Sequence, residues 1–289
     1  PIFWLGGTNI LLTPDIGKIL AAIETWKATM FFAPPTVWIG ILRHPDFARF
    51  DLSSLTKCYY GASIMPKEIL REILEKFPKA SVYNYYGQTE LAPYHTILKA
   101  EDALTKIGSA GMGGLHMESR IEDIKGDEIT AVNRPGEICG RGPHVMTMYF
   151  KEPDKTEIAM RDGWFHSGDL GVLDHDRYIA VVDRIKDMIK TGGENVASRE
   201  VEEAVYLHPA VEEVAVVGIE HPHWVEAVTA VVKLKKGATT TEAEILEHCK
   251  KYLSSFKVPK KIIIVEALPK TPTGKILKRE MRESFKGIF

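Results

Sequence analysis

The stretch Ser81–Glu90, with the sequence S-V-Y-N-Y-Y-G-Q-T-E, combines a tyrosine-rich run with a hydroxyl and a carboxylate. Ser81–Tyr86 is rich in aromatic and β-branched residues, which predicts a buried strand. Gly87 permits a sharp turn, after which Thr89 and Glu90 follow together. Ligands of open α/β sheets bind beyond the carboxyl ends of strands, so this edge would offer an aromatic face for a base, a hydroxyl for a phosphate and a carboxylate for a metal ion. Alone, the same pattern is more often plain core.

A second chemically suggestive stretch is Gly163–Gly171, G-W-F-H-S-G-D-L-G, in which Asp169 lies among small and turn-forming residues. A carboxylate accepts hydrogen bonds from two donors at once, which suits the paired hydroxyls of a ribose. Taken alone, these residues favour an Asx-type turn over a ribose site. His166, Ser167 and Asp169 do not indicate a catalytic triad, because the sequence contains no G-x-S-x-G elbow.

The segment Asp183–Val196, D-R-I-K-D-M-I-K-T-G-G-E-N-V, contains a cation and a Gly-Gly turn. Arg184 offers fixed donors for ribose or phosphate oxygens. Gly192 and Gly193 allow the backbone to approach a ligand closely. The alternative interpretation is a charged linker followed by a hairpin turn.

A fourth stretch, Leu268–Arg279, reads L-P-K-T-P-T-G-K-I-L-K-R and places Lys275 after a Pro-Thr-Gly turn. It imitates a Walker loop but does not match one, because Pro269 replaces the earlier glycine and Ile276 replaces the serine or threonine after the lysine. By itself the stretch favours a solvated basic tail over a phosphate site.

The sequence around these residues shows three successive patterns of predicted secondary structure. Helical spacing over Ile16–Trp26, a short strand at Ala28–Phe32 and a helix opened by Pro66 predict βαβ units with a parallel sheet. After about residue 96, frequent glycines separate short strands such as Glu118–Ile124 and Glu137–Gly140, which predicts a small antiparallel barrel or sheet layer.

From Arg184 onward the pattern predicts a compact α+β module of ordinary domain size. Ser198 is expected to cap one helix, and Thr241-x-x-Glu244 matches a capping box before another. We place the domain boundary at Asp183-Arg184. The prediction is a domain over 1–182, with an α/β part at about 1–96 and a barrel-like part at about 97–182, and a second domain over 183–289.

The chain has 289 residues, enough for roughly two domains. A net charge of −2 gives no case for nucleic acid as the main partner. Cys58, Cys139 and Cys249 lie far apart without a CxxC motif, which fits a reducing cytosol. The longest charge-free run, Ala28–Leu42, is too short to span a bilayer, and no signal peptide is recognised. Because the first residues are already apolar, we expect the chain to begin within a domain.

Together these stretches form an ordered set that resembles the adenylate-forming (ANL) superfamily. The set comprises Y-G-Q-T-E, G-E-I-C-G-R-G with Tyr149 after it, G-W-F-H-S-G-D-L-G, D-R-I-K-D-M-I-K-T-G-G-E-N-V and L-P-K-T-P-T-G-K-I. This superfamily includes acyl-CoA synthetases, peptide-synthetase adenylation domains and firefly luciferases. The resemblance covers essentially the whole chain, and the G-G-E-N and G-W-F-H-S-G-D forms are most similar to fatty or aromatic acyl-CoA ligases.

The resemblance implies a truncated large adenylation domain, α/β plus the small barrel-like layer, followed by a hinged α+β C-terminal domain. It implies an AMP-forming ligase that joins a carboxylic acid, expected to be a fatty acid, to AMP and then to coenzyme A. ATP, Mg²⁺ and coenzyme A are the implied cofactor and co-substrates. We expect a cytoplasmic enzyme, for which an oligomer is possible.

Several residues match positions that have a role in the family. They are Lys275 as the catalytic lysine, Thr89 at the α-phosphate, Glu90 as the magnesium ligand, Tyr86, Gly87, Gly61 and Ala62 beside the adenine, Asp169 and Arg184 at the ribose, Asp183 as the hinge, and Lys190, Gly192, Gly193 and Glu194 in the loop lining the pantetheine tunnel.

The sequence departs from the family pattern at two places. The family's phosphate loop would lie before residue 1, so this chain alone is expected to be a weak or inactive enzyme. Trp4 stands where the corresponding motif usually has histidine. The resemblance therefore assigns no residue to the gate of the acyl channel. Two other functions remain: a ligase that loads a carrier protein, and a non-catalytic nucleotide-binding relative. The joint presence of Lys275, Glu90 and Asp169 argues against the second.

Overall fold

A computed structural model of the protein describes residues 2, 5–63, 65–271 and 274–289. The chain divides into two compact units. Unit 1 comprises Pro1–Gly87 and Ile97–Gly111, and unit 2 comprises Gln88–Thr96 and Met112–Phe289. The helices are α1 Ile16–Trp26, α2 Pro35–Leu42, α3 Lys67–Lys76, α4 Pro153–Ala159, α5 Ser198–Tyr206, α6 Glu242–Cys249 and α7 Lys278–Ser284.

The strands follow the same chain order. They are β1 Met30–Ala33, β2 Lys57–Gly61, β3 Ser81–Gly87, β4 Tyr94–Leu98, β5 Met112–Gly113, β6 Glu118–Glu122, β7 Gly136–Arg141, β8 Met160–Arg161, β9 Trp164–Leu173, β10 Ile179–Arg184, β11 Ile189–Thr191, β12 Glu194–Val196, β13 Val211–His221, β14 Val225–Leu234 and β15 Lys261–Val265.

Unit 1 contains the βαβ arrangement that the sequence predicts. Strands β1, β2 and β3 are parallel neighbours, and α2 and α3 connect them. Helix α3 buries Ile69, Leu70 and Ile73, which recur at helical spacing. Helix α1 begins at the predicted residue because the Asp15 carboxylate accepts a hydrogen bond from the Lys18 N–H at 2.8 Å.

The antiparallel layer of unit 2 is an open sheet with the strand order β10-β9-β7-β6, with β8 paired to β9. Of the barrel and the sheet layer that the sequence left open, the structure has the sheet layer, because β10 and β6 are edges rather than neighbours among the described strands. Closing a sheet into a barrel requires its two edge strands to pair with each other. Five strands, one of them only two residues long, form an open sheet instead.

The C-terminal part of unit 2 is a second sheet, in the order β12-β11-β14-β13, with β15 parallel to β14. Helices α5 and α6 cover one face, where Val201, Val205 and Ile245 pack against the valines of β13 and β14. Helix α7 covers the other face through Met281. A sheet with helices on both faces buries its central strands completely, which explains the nearly continuous apolar runs of β13 and β14.

Of the two predicted helix caps, one is confirmed and one is wrong. Thr241 and Glu244 form the capping box: the Glu244 N–H donates to Thr241 Oγ1 at 3.2 Å and the Thr241 N–H donates to Glu244 Oε2 at 2.8 Å. Ser198 is instead the first residue of α5, after the N-cap Ala197. Its hydroxyl is engaged by other side chains, which compete with capping.

The three cysteines are free and fully buried, each in a different layer: Cys58 on β2, Cys139 on β7 and Cys249 at the end of α6. Burial raises the pKa of Cys58 to about 12 and that of Cys249 to about 11, and burial with the Glu122 and Glu137 carboxylates raises the pKa of Cys139 further. In the described ranges, no helix combines the length and the apolarity needed to cross a bilayer.

Candidate functional site

Thr89 and Glu90 lie on a single turn of 3-10 helix, Thr89–Leu91, which directly follows β3 along the chain. Leu91 is fully buried and fixes this turn, whereas Thr89 is exposed and Glu90 is half-buried. The Tyr149 hydroxyl donates to Glu90 Oε1 at 2.7 Å, and the Met146 N–H donates to the Glu90 carbonyl at 2.7 Å. The carboxylate is therefore held from a segment 59 residues further along the chain.

Tyr149 acts on Glu90 as a neutral donor. Burial, followed by the hydrogen bond to Glu90, raises the pKa of the Tyr149 phenol to about 12. The phenol therefore keeps its proton at neutral pH and orients one carboxylate oxygen. The second oxygen of a carboxylate is a hard donor of the kind that magnesium prefers.

Asp169 lies on β9 and is 5% exposed. The Gln88 side-chain amide donates to Asp169 Oδ2 at 3.1 Å and to the Ser167 carbonyl at 2.8 Å. Arg184 on β10 is the cross-strand partner of Asp169, and its Nε lies 3.4 Å from Asp169 Oδ1. The structure thus brings together the two residues that the sequence assigned to a ribose, and it adds Gln88.

Glu137 fixes the loop that precedes Asp169. Its carboxylate accepts a hydrogen bond from the Gly168 N–H at 2.9 Å, and it lies 3.2 Å from Arg161 and 3.0 Å from His166 Nδ1. Gly168 has φ 70°, a left-handed conformation that glycine adopts without strain. No local sequence pattern identifies the contacts of Gln88 and Glu137, because their partners are 81 and 31 residues away along the chain.

Glu122, Cys139 and His166 present one ligand atom each within 4.8 Å of one another on this sheet. Their surroundings already contain positive charge, since Arg120 lies 2.5 Å from Glu122 and Arg161 lies 2.6 Å from His166 Nδ1. We therefore assign no metal ion to this cluster.

Lys275 interacts electrostatically with Asp169 and Arg184, the pair that the sequence assigned to a ribose. Burial, and then the positive charge of Arg184, lower the pKa of the Lys275 ammonium, whereas the Asp169 carboxylate acts in the opposite direction. The Lys186 ammonium also lowers the pKa of Lys275, and the Asp187 carboxylate also opposes that lowering. Lys275, Arg184 and Asp169 come from three separate segments, and the fold places them within electrostatic reach of one another.

The residues on either side of Lys275, 269–271 and 274–277, are linked by backbone hydrogen bonds, and we call them the Lys275 loop. The Thr271 N–H donates to the Lys275 carbonyl at 2.8 Å, and the Leu277 N–H donates to the Pro269 carbonyl at 2.9 Å. Thr271 Oγ1 accepts a hydrogen bond from the Lys275 N–H at 3.1 Å. Two residues of the predicted Pro-Thr-Gly turn, Pro272 and Thr273, lie outside the described residues, as does Trp4.

The Gly-Gly turn joins β11 and β12 into the β11–β12 hairpin, Ile189–Val196. Gly192 and Gly193 have φ 59° and 87°, so both central residues of the turn are left-handed. The Gly192 N–H donates to the Trp224 carbonyl at 2.8 Å, and a Cβ on Gly192 would lie 2.9 Å from the Trp224 ring. A Cβ on Gly193 would meet nothing within 4 Å.

The hairpin contains three other features of interest. Lys190 and Glu194 are exposed, and the Lys190 N–H donates to Glu226 Oε2 at 2.7 Å. Thr191 is 2% exposed, and within the described part of the chain its hydroxyl has no hydrogen-bond partner. A buried hydroxyl of this kind beside an open glycine turn fits a segment that a ligand with polar groups approaches.

Asp183 is buried at the end of β10 and accepts three hydrogen bonds. The donors are the Arg184 N–H at 2.7 Å, the Ser198 N–H at 2.5 Å and the Ser198 hydroxyl at 2.7 Å. The carboxylate therefore lies at the N-terminus of α5, where negative charge is favourable. This explains its burial structurally, and the hinge assignment of Asp183 stays a prediction.

Unit 1 contains the remaining assigned residues. Gly61 ends β2, and a Cβ there would lie 2.4 Å from the Tyr85 carbonyl, so glycine is required by strand packing alone. Ala62 follows with φ 65°. Tyr86 and Gly87 are the last two residues of β3 and are half-buried. The adenine contacts of these four residues stay predictions.

Comparison with known proteins places the chain in a family. The profile of the AMP-binding enzyme family matches residues 1–150, and that of the AMP-binding enzyme C-terminal domain matches residues 200–275. The chain belongs to the AMP-binding enzymes, the adenylate-forming class that its motifs resemble.

Individual relatives cover nearly all of the chain. The mitochondrial medium-chain acyl-CoA ligase of Rattus norvegicus is 38% identical over 282 residues, which is 96% of this chain and 46% of that protein. The feruloyl-CoA synthase of an Amycolatopsis species is 38% identical over 286 residues, 99% of this chain and 58% of that protein. The chain thus spans about half the length of the curated relatives it matches.

Solved structures give the same fold. An anthranilate CoA ligase in complex with anthranoyl-AMP superposes with a TM-score of 0.90 at 28% identity, covering 97% of this chain and 55% of that chain. The likeness confirms the mixed α/β fold class of the adenylate-forming enzymes.

Proposed function

We propose that the protein is an ATP-dependent acid–thiol ligase that forms an acyl-adenylate and transfers the acyl group to coenzyme A. The observation that supports this most directly is the convergence of Lys275, Arg184 and Asp169. The Lys275 ammonium interacts electrostatically with the buried Asp169 carboxylate, which is also paired with Arg184. The relatives named acyl-CoA ligase or synthase support the same reaction class.

In the first half-reaction, a carboxylate oxygen of the acid attacks the α-phosphorus of ATP and pyrophosphate leaves. Negative charge builds on the α-phosphate oxygens during this exchange. Lys275 supplies an ammonium to oppose it, and Thr89 supplies a hydroxyl at the start of its 3-10 turn. Asp169, held by Gln88 and Arg184, accepts hydrogen bonds from the ribose. A preorganised cation in a site screened from water stabilises such charge strongly.

Glu90 is the proposed ligand of Mg²⁺. Its carboxylate is fixed at one oxygen by Tyr149, and carboxylate oxygen is the donor type that magnesium uses together with phosphate oxygens. Bound magnesium would neutralise phosphate charge. What this chain contributes is the orientation of the Glu90 carboxylate through the Tyr149 hydroxyl, while the Met146 N–H holds the Glu90 main-chain carbonyl.

In the second half-reaction, the thiol sulfur attacks the acyl carbon, the thiol proton is released and AMP leaves. We assign the pantetheine contact to the β11–β12 hairpin. The open space beside Gly193 and the buried Thr191 hydroxyl support this assignment, since a pantetheine arm carries amide groups and needs close backbone approach. Lys190 and Glu194, exposed on the same hairpin, complete the proposed contact surface.

The experiment that tests the proposed function is a screen for acid-dependent pyrophosphate release by the protein at its natural full length. Fatty acids of graded chain length form the first panel and hydroxycinnamic and aminobenzoic acids the second. We expect release with at least one acid, dependent on Mg²⁺, and thioester when coenzyme A is added. No pyrophosphate release above the acid-free rate with any acid would contradict the proposal.

A second arm of the same screen separates coenzyme A from a protein-bound thiol. The active acid is supplied with free coenzyme A or with a phosphopantetheinylated carrier protein. Thioester formation with coenzyme A at low concentrations, and none with the carrier, is the expected result. The reverse preference would identify a carrier-loading ligase and would leave the adenylation half of the proposal intact.

A further inference from the structure

A lysine near each end of the Lys275 loop pairs with a glutamate of the C-terminal sheet or its helices. Lys270 lies within the loop and Lys278 directly follows it. Lys270 Nζ lies 2.6 Å from Glu213 Oε2, and Lys278 Nζ lies 2.7 Å from Glu202 Oε1. The two ends are joined by the bridge between Lys270 and Ile276. Lys275 therefore lies between two lysines that are each paired with a glutamate of the C-terminal sheet or its helices.

We call the Lys270–Glu213 and Lys278–Glu202 pairs the first and the second anchor. They differ in the further contacts that their side chains make. The Glu213 carboxylate of the first is shared with a second lysine, Lys233, at 3.6 Å. The Lys278 ammonium of the second also donates to Ser198 Oγ at 2.6 Å, and Glu202 also accepts the Val216 N–H at 2.8 Å. Only the second anchor, of these two, contacts the N-terminus of α5.

Ser198 continues the chain of contacts toward Arg184. Its fully buried hydroxyl accepts from Lys278 and donates to Asp183 Oδ2 at 2.7 Å. The other oxygen of Asp183 accepts the Arg184 N–H at 2.7 Å. An unbroken series of hydrogen bonds thus runs from a residue three positions after Lys275 to the backbone of Arg184.

We infer that Lys278 and Ser198 are positioning residues that fix the Lys275 loop relative to Arg184 during adenylate formation. This inference rests on the proposed function and deepens it. Lys278, Ser198 and Asp183 touch no reacting atom in this scheme. They set the separation between the cation that opposes phosphate charge and the cation beside the ribose carboxylate.

The charges along this series support a geometric role. Burial by itself would lower the pKa of Lys278, but the carboxylates of Glu202 and Asp183 prevail and raise it. Lys278 therefore stays a cation and needs all of its acceptors. Hydrogen bonds to ions are short and directional, so they define one position of the loop end more sharply than apolar packing would. A displacement of about 1 Å at a reacting group can cost about 10²-fold in rate.

The central variant of the test is Ser198→Ala in the protein at its natural full length. It removes the shared hydroxyl but keeps the Lys278–Glu202 pair and the Ser198 N–H bond to Asp183. We expect the kcat of adenylate formation to fall about 10- to 100-fold with the KM for ATP unchanged, because misplacement acts on the reacting geometry. Thioester formation from supplied acyl-adenylate and coenzyme A should stay within about threefold of the original rate, since that step does not use Lys275.

Lys270→Met is the matched control, because it removes a lysine–glutamate pair from the other end of the same loop. Its effect on adenylate formation should be less than about threefold, since it leaves the series from Lys278 to Arg184 intact. Lys278→Met combined with Glu202→Gln removes the pair without leaving a lone buried charge, and should reproduce the Ser198→Ala loss. A folded double variant with unchanged kcat would overturn the inference.

Two further outcomes are decisive. Equal losses in both half-reactions for Ser198→Ala would show a general structural effect and would also overturn the inference. If the unaltered protein makes no adenylate, the proposed function fails at that point. If it does make adenylate and Ser198→Ala matches it, only the positioning role fails.

Discussion

The β11–β12 hairpin and the Lys275 loop are assigned to opposite half-reactions, and they are held in place by different interactions. The hairpin is defined by its backbone: two left-handed glycines, a hydrogen bond to the Trp224 carbonyl and an aromatic ring 2.9 Å from where a Cβ of Gly192 would stand. The Lys275 loop is defined by charged side chains at its two ends.

This difference predicts opposite sensitivities. A segment fixed by backbone conformation should tolerate changes of charge but not added side chains, because left-handed φ values penalise a Cβ. A loop positioned by charged side chains should tolerate changes of bulk but not loss of the Lys278 charge. The two half-reactions should therefore be separable by substitutions in the two segments.

The largest expected effect is that of Lys275→Ala on adenylate formation. Removing a preorganised donor from a charge-stabilising site typically costs about 10²–10³ in rate. Thioester formation from supplied acyl-adenylate should persist. Pyrophosphate release and thioester formation are measured separately on the same preparation. Equal losses in both would contradict the division of labour between the two segments.

Asp169→Ala should act on the nucleotide and not on the acid. The carboxylate is buried and is held by Gln88 and Arg184, and loss of hydrogen bonds to a charged group costs about 1.5–3 kcal/mol. Calorimetric titration with ATP should show that loss, while the affinity for the acid is unchanged. Unchanged ATP affinity would return Asp169 to the interpretation as a structural turn.

Gly193→Leu should slow the thiol step and leave adenylate formation intact. The glycine at φ 87° adjoins open space, so the added side chain would fill the proposed pantetheine path. Gly237 is a matched control, with φ 78° and no atom within 4 Å of its Cβ position. Both substitutions should lower the free energy of unfolding by about 1–2 kcal/mol through the left-handed backbone, but Gly237→Leu should spare the thiol step. If both variants slow it equally, the effect is strain and not obstruction.

Val225→Gly should stabilise the protein slightly. Val225 opens β14 opposite Thr191 of the hairpin, is 66% exposed and has φ 68°, which is unfavourable for a β-branched residue. Glycine removes that strain and adds flexibility to the unfolded chain, for a net gain of about 1 kcal/mol or less. Val225→Ala, which keeps most of the strain, is the reference in urea unfolding. A lower midpoint for the glycine variant than for the alanine variant would contradict this account.

The smallest expected effect concerns pH: adenylate formation should begin to decline at a lower alkaline pH than an exposed lysine would give. Burial and Arg184 lower the pKa of Lys275 from its ordinary value, so the required ammonium is lost at a lower pH than for an exposed lysine. Activity should fall as pH rises through this lowered pKa. Lys186→Gln removes a cation and should move the alkaline limb upward, whereas Asp187→Asn removes an anion and should move it downward. Shifts of the same sign in both variants would contradict the assignment of the limb to Lys275.

The sequence predicted elements well where local pattern determines them. Helix α1 has the predicted bounds because Asp15 caps it and its apolar residues recur at helical spacing. Strand β7, Gly136–Arg141, contains the predicted strand Glu137–Gly140 and extends it by one residue at each end. The pairing of Asp169 with Arg184 agrees with the separate motif assignments, since cross-strand register places the two residues opposite each other.

Long-range contacts were not predictable from sequence. The Tyr149 hydroxyl bond to Glu90 and the Gln88 amide bond to Asp169 join positions with no shared local motif. Ser198 was misassigned for a related reason. Serine before a helix with early glutamates is a typical cap signal. In the structure the Ser198 hydroxyl instead hydrogen-bonds to Asp183 and Lys278, and Ala197 is the N-cap residue. Barrel closure depends on which strands become edges, and strand composition does not encode that.

The three buried cysteines give the molecule one natural reporter in each sheet layer: Cys58 in the parallel sheet, Cys139 in the antiparallel sheet and Cys249 against the C-terminal sheet. Thiolate is the form that alkylating reagents attack, and the raised thiol pKa values keep each site unreactive while its layer is closed. The alkylation rate of each thiol therefore measures how often its own layer opens. Peptide mapping after timed alkylation would rank the three layers by local stability without introducing any label or substitution.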